Sequence, residues 1–307
     1  MFRILLIIAI CTVAFFGEET AAQEVEIEPE LRAPTVVVQG VQQKQAEIYV
    51  SLLMPKSGVA QARGVPRWNS VLCTSVIGPP IEQAQFMADR VTRRAIEAGV
   101  QTGAPGCSTN FLVIVTNDPE VLLPAIADKH RAVFGFTGDA NIDTGGSDIS
   151  LASFMASSRP VRWRQVVETV GADGMPIDGD ARADGLKFGQ PDLTNLPVVR
   201  ADSTRLRSNV RRQLSRVVIV VDTRQTSGLS LAAISDYVAF VALADVSADA
   251  DLAAFPSILN LFNPEAEQLS EMSDWDLAFL KGLYSARLTG ANGTMQYREI
   301  AAQMVKD

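Results

Sequence analysis

Asp222, Asp236 and Tyr237 are the side chains of this chain best suited by type and position to acid–base work. Asp222 ends the β-branched run Val217-Val218-Ile219-Val220-Val221, and Asp236 and Tyr237 stand side by side in a stretch, residues 231–246, that is apolar almost all round. α/β sheets gather active sites at the carboxyl ends of their strands, so one expectation is a metal-independent hydrolase using Asp222 and Asp236. The alternative is that Asp236 and Tyr237 close hydrogen bonds onto neighbouring elements and carry no chemistry. Other chemistries have less to draw on. The single histidine, His130, follows Asp128-Lys129 in a polar helix end, where a cation complements the helix dipole. Ser227 and Ser230 have no histidine partner and no G-x-S-x-G elbow. Asp178-x-Asp180-x-Arg182-x-Asp184-Gly185 spaces its oxygens like a calcium loop, but Arg182 takes a ligand position and no bidentate glutamate follows. A solvated hairpin tip is the better reading there, so no metal and no cofactor are expected.

The 307 residues, 47% hydrophobic and 20% charged, suffice for a sizeable core. A net charge of −8 argues against nucleic acid, which needs a concentrated basic face. Arg211, Arg212 and Arg216 have no interleaved aromatics and are expected to be a solvated flank of the strand at Val217. Met1-Phe2-Arg3, an apolar run over residues 4–16 and the small residues Thr20-Ala21-Ala22 read as a cleaved secretory signal, residues 1–22. The run is too short for a membrane span of about 20 residues. Ile10 before Cys11 does not suit lipidation. A periplasmic or extracellular location is therefore expected, with no integral membrane segment after cleavage. Cys73 and Cys107 are then the remaining thiols, and in an oxidising compartment a bridge between them is favoured over two buried free cysteines.

The elements that must position these residues can be taken in order. Residues 23–45, with Glu24, Glu26, Glu28 and Glu30, form an expected mobile acidic lead-in, and residues 46–307 one domain. Residues 35–38 and 47–53 are possible strands. Residues 70–77 read as a strand holding Cys73, and Gly78-Pro79-Pro80 stops it. A helix over 81–98 places Phe86, Met87, Val91, Ala95 and Ile96 inward and Asp89, Arg90, Arg93, Arg94 and Glu97 outward. Residues 110–115 complete a parallel β-α-β unit. A helix from Asp118-Pro119, a polar loop over 135–148, a strand over 160–167 and an exposed excursion over 173–190 follow. Beyond the strand at Val217, Ser230 caps the core helix, residues 255–259 turn tightly, and Ser273 with Asp276 starts a helix bearing Leu277, Leu280 and Tyr284 on one face.

This order resembles the metzincins: a tryptophan-led strand, a long helix and a second strand in front, then a strand, a metal helix, a turn under the metal, and a C-terminal helix ending in Leu-Tyr. The matching residues are Trp68, the helix after Ile81, Tyr237-Val238-Ala239-Phe240-Val241-Ala242-Leu243-Ala244, Ser257-Ile258-Leu259, and Trp275-Asp276 to Leu283-Tyr284. The resemblance implies an α/β (α+β) fold, a zincin-like mixed sheet with a long front helix, a buried central helix and a C-terminal helix. It also implies that Tyr237 and Val241 face one cleft with Asp236 and Asp222 beside it. Laid on H-E-x-x-H-x-x-G-x-x-H, the ligand positions are Tyr237, Val241 and Ser247 and the general base is Val238. A zincin needs two imidazoles at i and i+4 with a carboxylate beside them, and those are absent. The expectation is a zincin-like domain without zinc, non-catalytic, with a binding or structural role toward a protein or peptide partner.

Overall fold

The computed structural model describes residues 35–55, 64–135, 142–143, 151–172, 174, 208–287 and 292–306. The signal segment, the acidic lead-in as far as residue 34, and the possible calcium loop lie outside the described residues.

Val217 to Val221 form the middle of the molecule because they are apolar on both faces of a strand. Strand β6, as numbered in chain order, runs Val210–Asp222. The others are β1 Arg67–Trp68, β2 Thr74–Ile77, β3 Phe111–Thr116, β4 Ile142–Asp143 and β5 Val161–Gly171. The sheet order is β2-β3-β6-β5-β4, with β1 also on β6. Strands β1, β2, β3 and β6 are mutually parallel where they pair, and β5 and β4 are antiparallel to their neighbours. The architecture is mixed α/β.

Alternation along the strands assigns two cores. Phe111, Val113, Val217, Ile219, Val221, Val161, Trp163 and Val167 belong to the larger one. It is covered by α1 Thr35–Leu53, α2 Ile81–Glu97, α5 Leu231–Leu243, α6 Asp274–Ser285 and α7 Gly293–Met304. Ile114, Val218 and Val220 point the other way, against Leu123, Phe134 and Phe154. Those come from α3 Pro119–Lys129, the 3-10 turn Arg131–Phe134 and α4 Leu151–Ala156. A strand covered on both sides reads as an unbroken apolar run, and this one does.

Several expectations are corrected. The two possible strands at 35–38 and 47–53 are parts of the single helix α1, which also reaches into the stretch assigned to the lead-in. Ala46, Tyr49, Val50 and Leu53 are fully buried at helical spacing, and that burial outweighs the β-branched preference of Val36-Val37-Val38. Phe86 and Ile96 are exposed, at 42% and 59%, whereas Arg94 is buried. Arg212, expected in solvent, is 2% exposed because β6 begins seven residues before Val217 and carries it into the interior of the sheet, paired with Thr169 of β5, where Nη1 reaches Gly64 O. The helix ending at Leu283-Tyr284 is followed by another, α7, started by the Asn292 side chain accepting from Met295 N.

Cys73 and Cys107 are joined. The bridge closes residues 74–106 around β2 and α2, which is worth about 4 kcal/mol in the chain-entropy model. Reduction is expected to speed amide exchange in β2 and α2 first and to leave α5 protected. Equal loss of protection in both by hydrogen-exchange mass spectrometry would contradict this.

Candidate functional site

Helix α5 positions the residues of interest. Ser230 Oγ accepts from Ala233 N to start it, and every residue from Ala233 to Leu243 is buried. A buried helix end must still satisfy its last carbonyls. Here three side chains do so. Gln165 Nε2 from β5 donates to Val241 O and Ala244 O, both at 2.8 Å; Trp68 Nε1 from β1 donates to Ala242 O at 2.8 Å; Tyr284 Oη from α6 donates to Leu243 O at 2.7 Å. Tyr284 in turn accepts from Trp68 N, and the Arg67 guanidinium lies over its ring while donating to Leu283 O. Tyr284→Phe removes one hydroxyl and strands the Leu243 carbonyl, so a loss of about 1–3 kcal/mol is expected in urea unfolding. An unchanged midpoint would show that water replaces the phenol.

Asp236 is 0% exposed and accepts five hydrogen bonds. Arg90 and Arg94 each grip it with Nε on Oδ1 (2.7 and 3.0 Å) and Nη2 on Oδ2 (2.8 and 2.7 Å), and Met272 N adds a bond of 2.8 Å to Oδ2. Burial pushes its pKa up, but the two guanidinium groups and the Met272 amide outweigh that and hold it below the ordinary carboxylate range. The two arginines lie four residues apart on one face of α2 opposite a lone acid in an apolar helix. Both were expected to face solvent, and the structure instead turns them onto Asp236, with side chains 15% and 10% exposed.

Asp222 belongs to a separate network at the end of β6. Arg224 Nε and Nη2 reach its two oxygens at 3.0 and 2.7 Å, Arg224 N adds a bond of 3.0 Å, and Gln225 Nε2 one of 3.1 Å. The Arg224 hydrogen bonds hold its pKa down to about 2. A general acid or base needs a pKa near the working pH and access to substrate. Asp222 and Asp236, expected as a pair of catalytic carboxylates, are both buried, both held by arginines and both lowered in pKa.

Tyr237 and Val241 share a face of α5, one turn apart. The Tyr237 ring packs against Phe262 (5.0 Å between centroids) and Trp163 (6.4 Å), and Val241 is 0% exposed. Phe262 ends the 3-10 turn Ile258–Phe262. Burial pushes the Tyr237 phenol up to about 12, against the nearby Arg159 charge. Among the described residues, none of Asp222, Asp236, Tyr237 and Val241 lines the open cavities at the sheet ends or beside Trp163. Ser247 turns the chain away from α5, its N donating to Leu53 O at 2.7 Å and its Oγ accepting from Asp249 N. Val238 is fully buried. His130 caps the end of α3 in solvent, and Ser227 is exposed in the turn before Ser230. Among the described residues no three His, Cys, Asp or Glu side chains converge as metal ligands.

Asp276 is a further hub that its capping-box role only half revealed. Besides closing the box with Ser273, it accepts from Tyr49 Oη and Ser257 Oγ, both at 2.7 Å, and from Ile258 N at 2.8 Å. One carboxylate thereby ties α1, the 257–258 turn and α6 together.

Among the described residues, two open cavities flank the sheet. One, of about 530 Å³, lies at the carboxyl ends of β2 and β3 between Gly78, Pro79, Thr116, Asn117 and Thr223. It follows a turn only glycine can make, since Gly78 has φ +104° and a Cβ there would stand 1.9 Å from Val115 O. No charged side chain lines it. The other, of about 350 Å³, opens beside Trp163, the partner of Tyr237, and its walls carry Arg159, Arg162 and Asp249. Sequence reading missed it because it is assembled from α4, the start of β5 and the segment after α5.

No protein-family model, curated protein or solved structure matches the chain.

Proposed function

We propose that this chain is an exported, zincin-like domain without a catalytic zinc, and that it acts by binding a protein or peptide. The observation that carries the reading is the state of the α5 face on which the metzincin pattern would place metal ligands. Tyr237 is wedged between Trp163 and Phe262, Val241 is sealed from solvent, and the neighbouring acid, Asp236, is consumed by Arg90 and Arg94. The order of elements supports the family likeness. β6 leads into the buried α5, the 257–262 turn follows, and α6 ends in Leu283-Tyr284 with Tyr284 bonded back to the end of α5. The Cys73–Cys107 bridge is compatible with a periplasmic or extracellular location, and among the described residues no helix is long and apolar enough to cross a membrane. Peptidase, esterase and glycosidase assays with and without chelator test the reading. It expects no turnover in any; turnover that survives chelation and vanishes in Asp236→Asn would replace it with a metal-independent hydrolase.

A further inference from the structure

The cavity beside Trp163 has the volume of a small-ligand site and carries two arginines in its wall. Its volume of about 350 Å³ falls at the lower end of the range of ligand pockets, which are lined mainly by apolar groups with a few placed polar ones. Phe154 and Trp163 supply the apolar wall, and Ser158 lies at the rim with Arg159. Two guanidinium groups meet there. Arg162, 2% exposed, is fixed by Nη1 to Met155 O at 2.9 Å and reaches Glu120 at 3.4 Å, while its buried Nε makes no hydrogen bond among the described residues. Arg159 bridges the opening: it donates to Ala248 O, and its Nη2 lies 2.6 Å from Asp249 Oδ1.

The Arg159–Asp249 contact is the exchangeable part. Asp249 is 89% exposed and Arg159 38%, so this pair is a surface ion pair of small worth. A guanidinium fork matches a carboxylate in two parallel hydrogen bonds, and a planar carboxylate on a ligand can take the place of the Asp249 side chain with no other change. Arg162 behind it adds positive charge, and the aromatic wall receives whatever apolar group the carboxylate carries.

We propose that this cavity binds a carboxylate bearing an apolar group, with Arg159 as its anchor and Asp249 as a built-in competitor. The inference rests on the binding-module reading and names its ligand chemistry. Such a carboxylate could come from a small organic acid or from the end of a peptide. The test is titration of the full chain with N-acetyl-phenylalanine, with its amide, and with a hexapeptide ending in phenylalanine in free-acid and amidated forms, followed by NMR of the tryptophan indoles and by calorimetry. The acids are expected to bind at least about tenfold more tightly than the amides, since a charge-assisted pair is lost. Arg159→Gln should abolish that preference and Asp249→Asn should tighten acid binding severalfold. A peptide that binds more tightly than N-acetyl-phenylalanine assigns a chain end, and equal affinity assigns a small acid; both uphold the site. Amides that bind as well as acids, no acid binding at millimolar concentration to wild type and to Asp249→Asn, or a folded Arg159→Gln that keeps the preference would each overturn it. Mass spectrometry of the same samples separates the two levels, because cleavage of the peptide would sink the non-catalytic reading and leave the carboxylate site standing.

Discussion

Replacing Asp236 with alanine is expected to destabilise the protein by about 3–5 kcal/mol, the range for removing one partner of a buried ion pair. Arg90 and Arg94 side chains are only 15% and 10% exposed, so both would be left largely desolvated against a missing carboxylate. Met272 N would lose its acceptor as well, which loosens the segment leading into α6. Asp236→Asn keeps the shape and one acceptor oxygen and should cost less. The pH dependence has a definite sign. The Asp236 pKa is lowered in the folded protein, so its contribution is complete above the unfolded value of about 3.9 and is lost as pH falls through the lower folded value. Urea midpoints for wild type and Asp236→Ala should therefore converge toward low pH. Midpoints that differ by the same amount at every pH would assign the loss to packing and not to charge.

Val241→Asp is expected to be as damaging, at about 4 kcal/mol or more. Val241 is 0% exposed in the last turn of α5, and burying its side chain is worth about 1.5–3 kcal/mol. A carboxyl in its place adds the cost of an unpaired buried polar group, and it would neutralise by taking a proton before it stayed charged there. The expected signature is a melt lowered steeply at neutral pH and partly restored on acidification. A variant that melts as wild type does would mean that this helix face opens to water and would remove the packed-face account of α5.

What could be read from the sequence divides along local and non-local lines. The run 217–221 announced a strand covered on both faces because covering needs no knowledge of the partner. Ser230 as cap and the Ser273–Asp276 box were legible for the same reason, since each bonds within three residues. The Cys73–Cys107 pairing followed from there being two thiols after the expected signal. The helical wheel of α2 put Arg90 and Arg94 outward, and nothing local showed that Asp236 waits for them, 142 residues on from Arg94. Thr35 to Val38 read as a strand because four β-branched residues dominate a short window, whereas the helix is decided by Tyr49 reaching Asp276, 227 residues away. Arg211-Arg212 disguised the first half of β6, which exists because β5 pairs with it over its whole length. The Arg159 cavity left no linear trace, for its walls come from three separate segments.

The account stands on the helix face of Tyr237 and Val241 being packed core where the family pattern would place metal ligands. Zinc content of the protein purified from its native compartment without chelator, measured per chain by mass spectrometry, tests this most directly. The prediction is zinc far below one atom per chain and a melting temperature unmoved by EDTA. One zinc per chain that resists dialysis, with a melting temperature that falls when it is stripped, would contradict it.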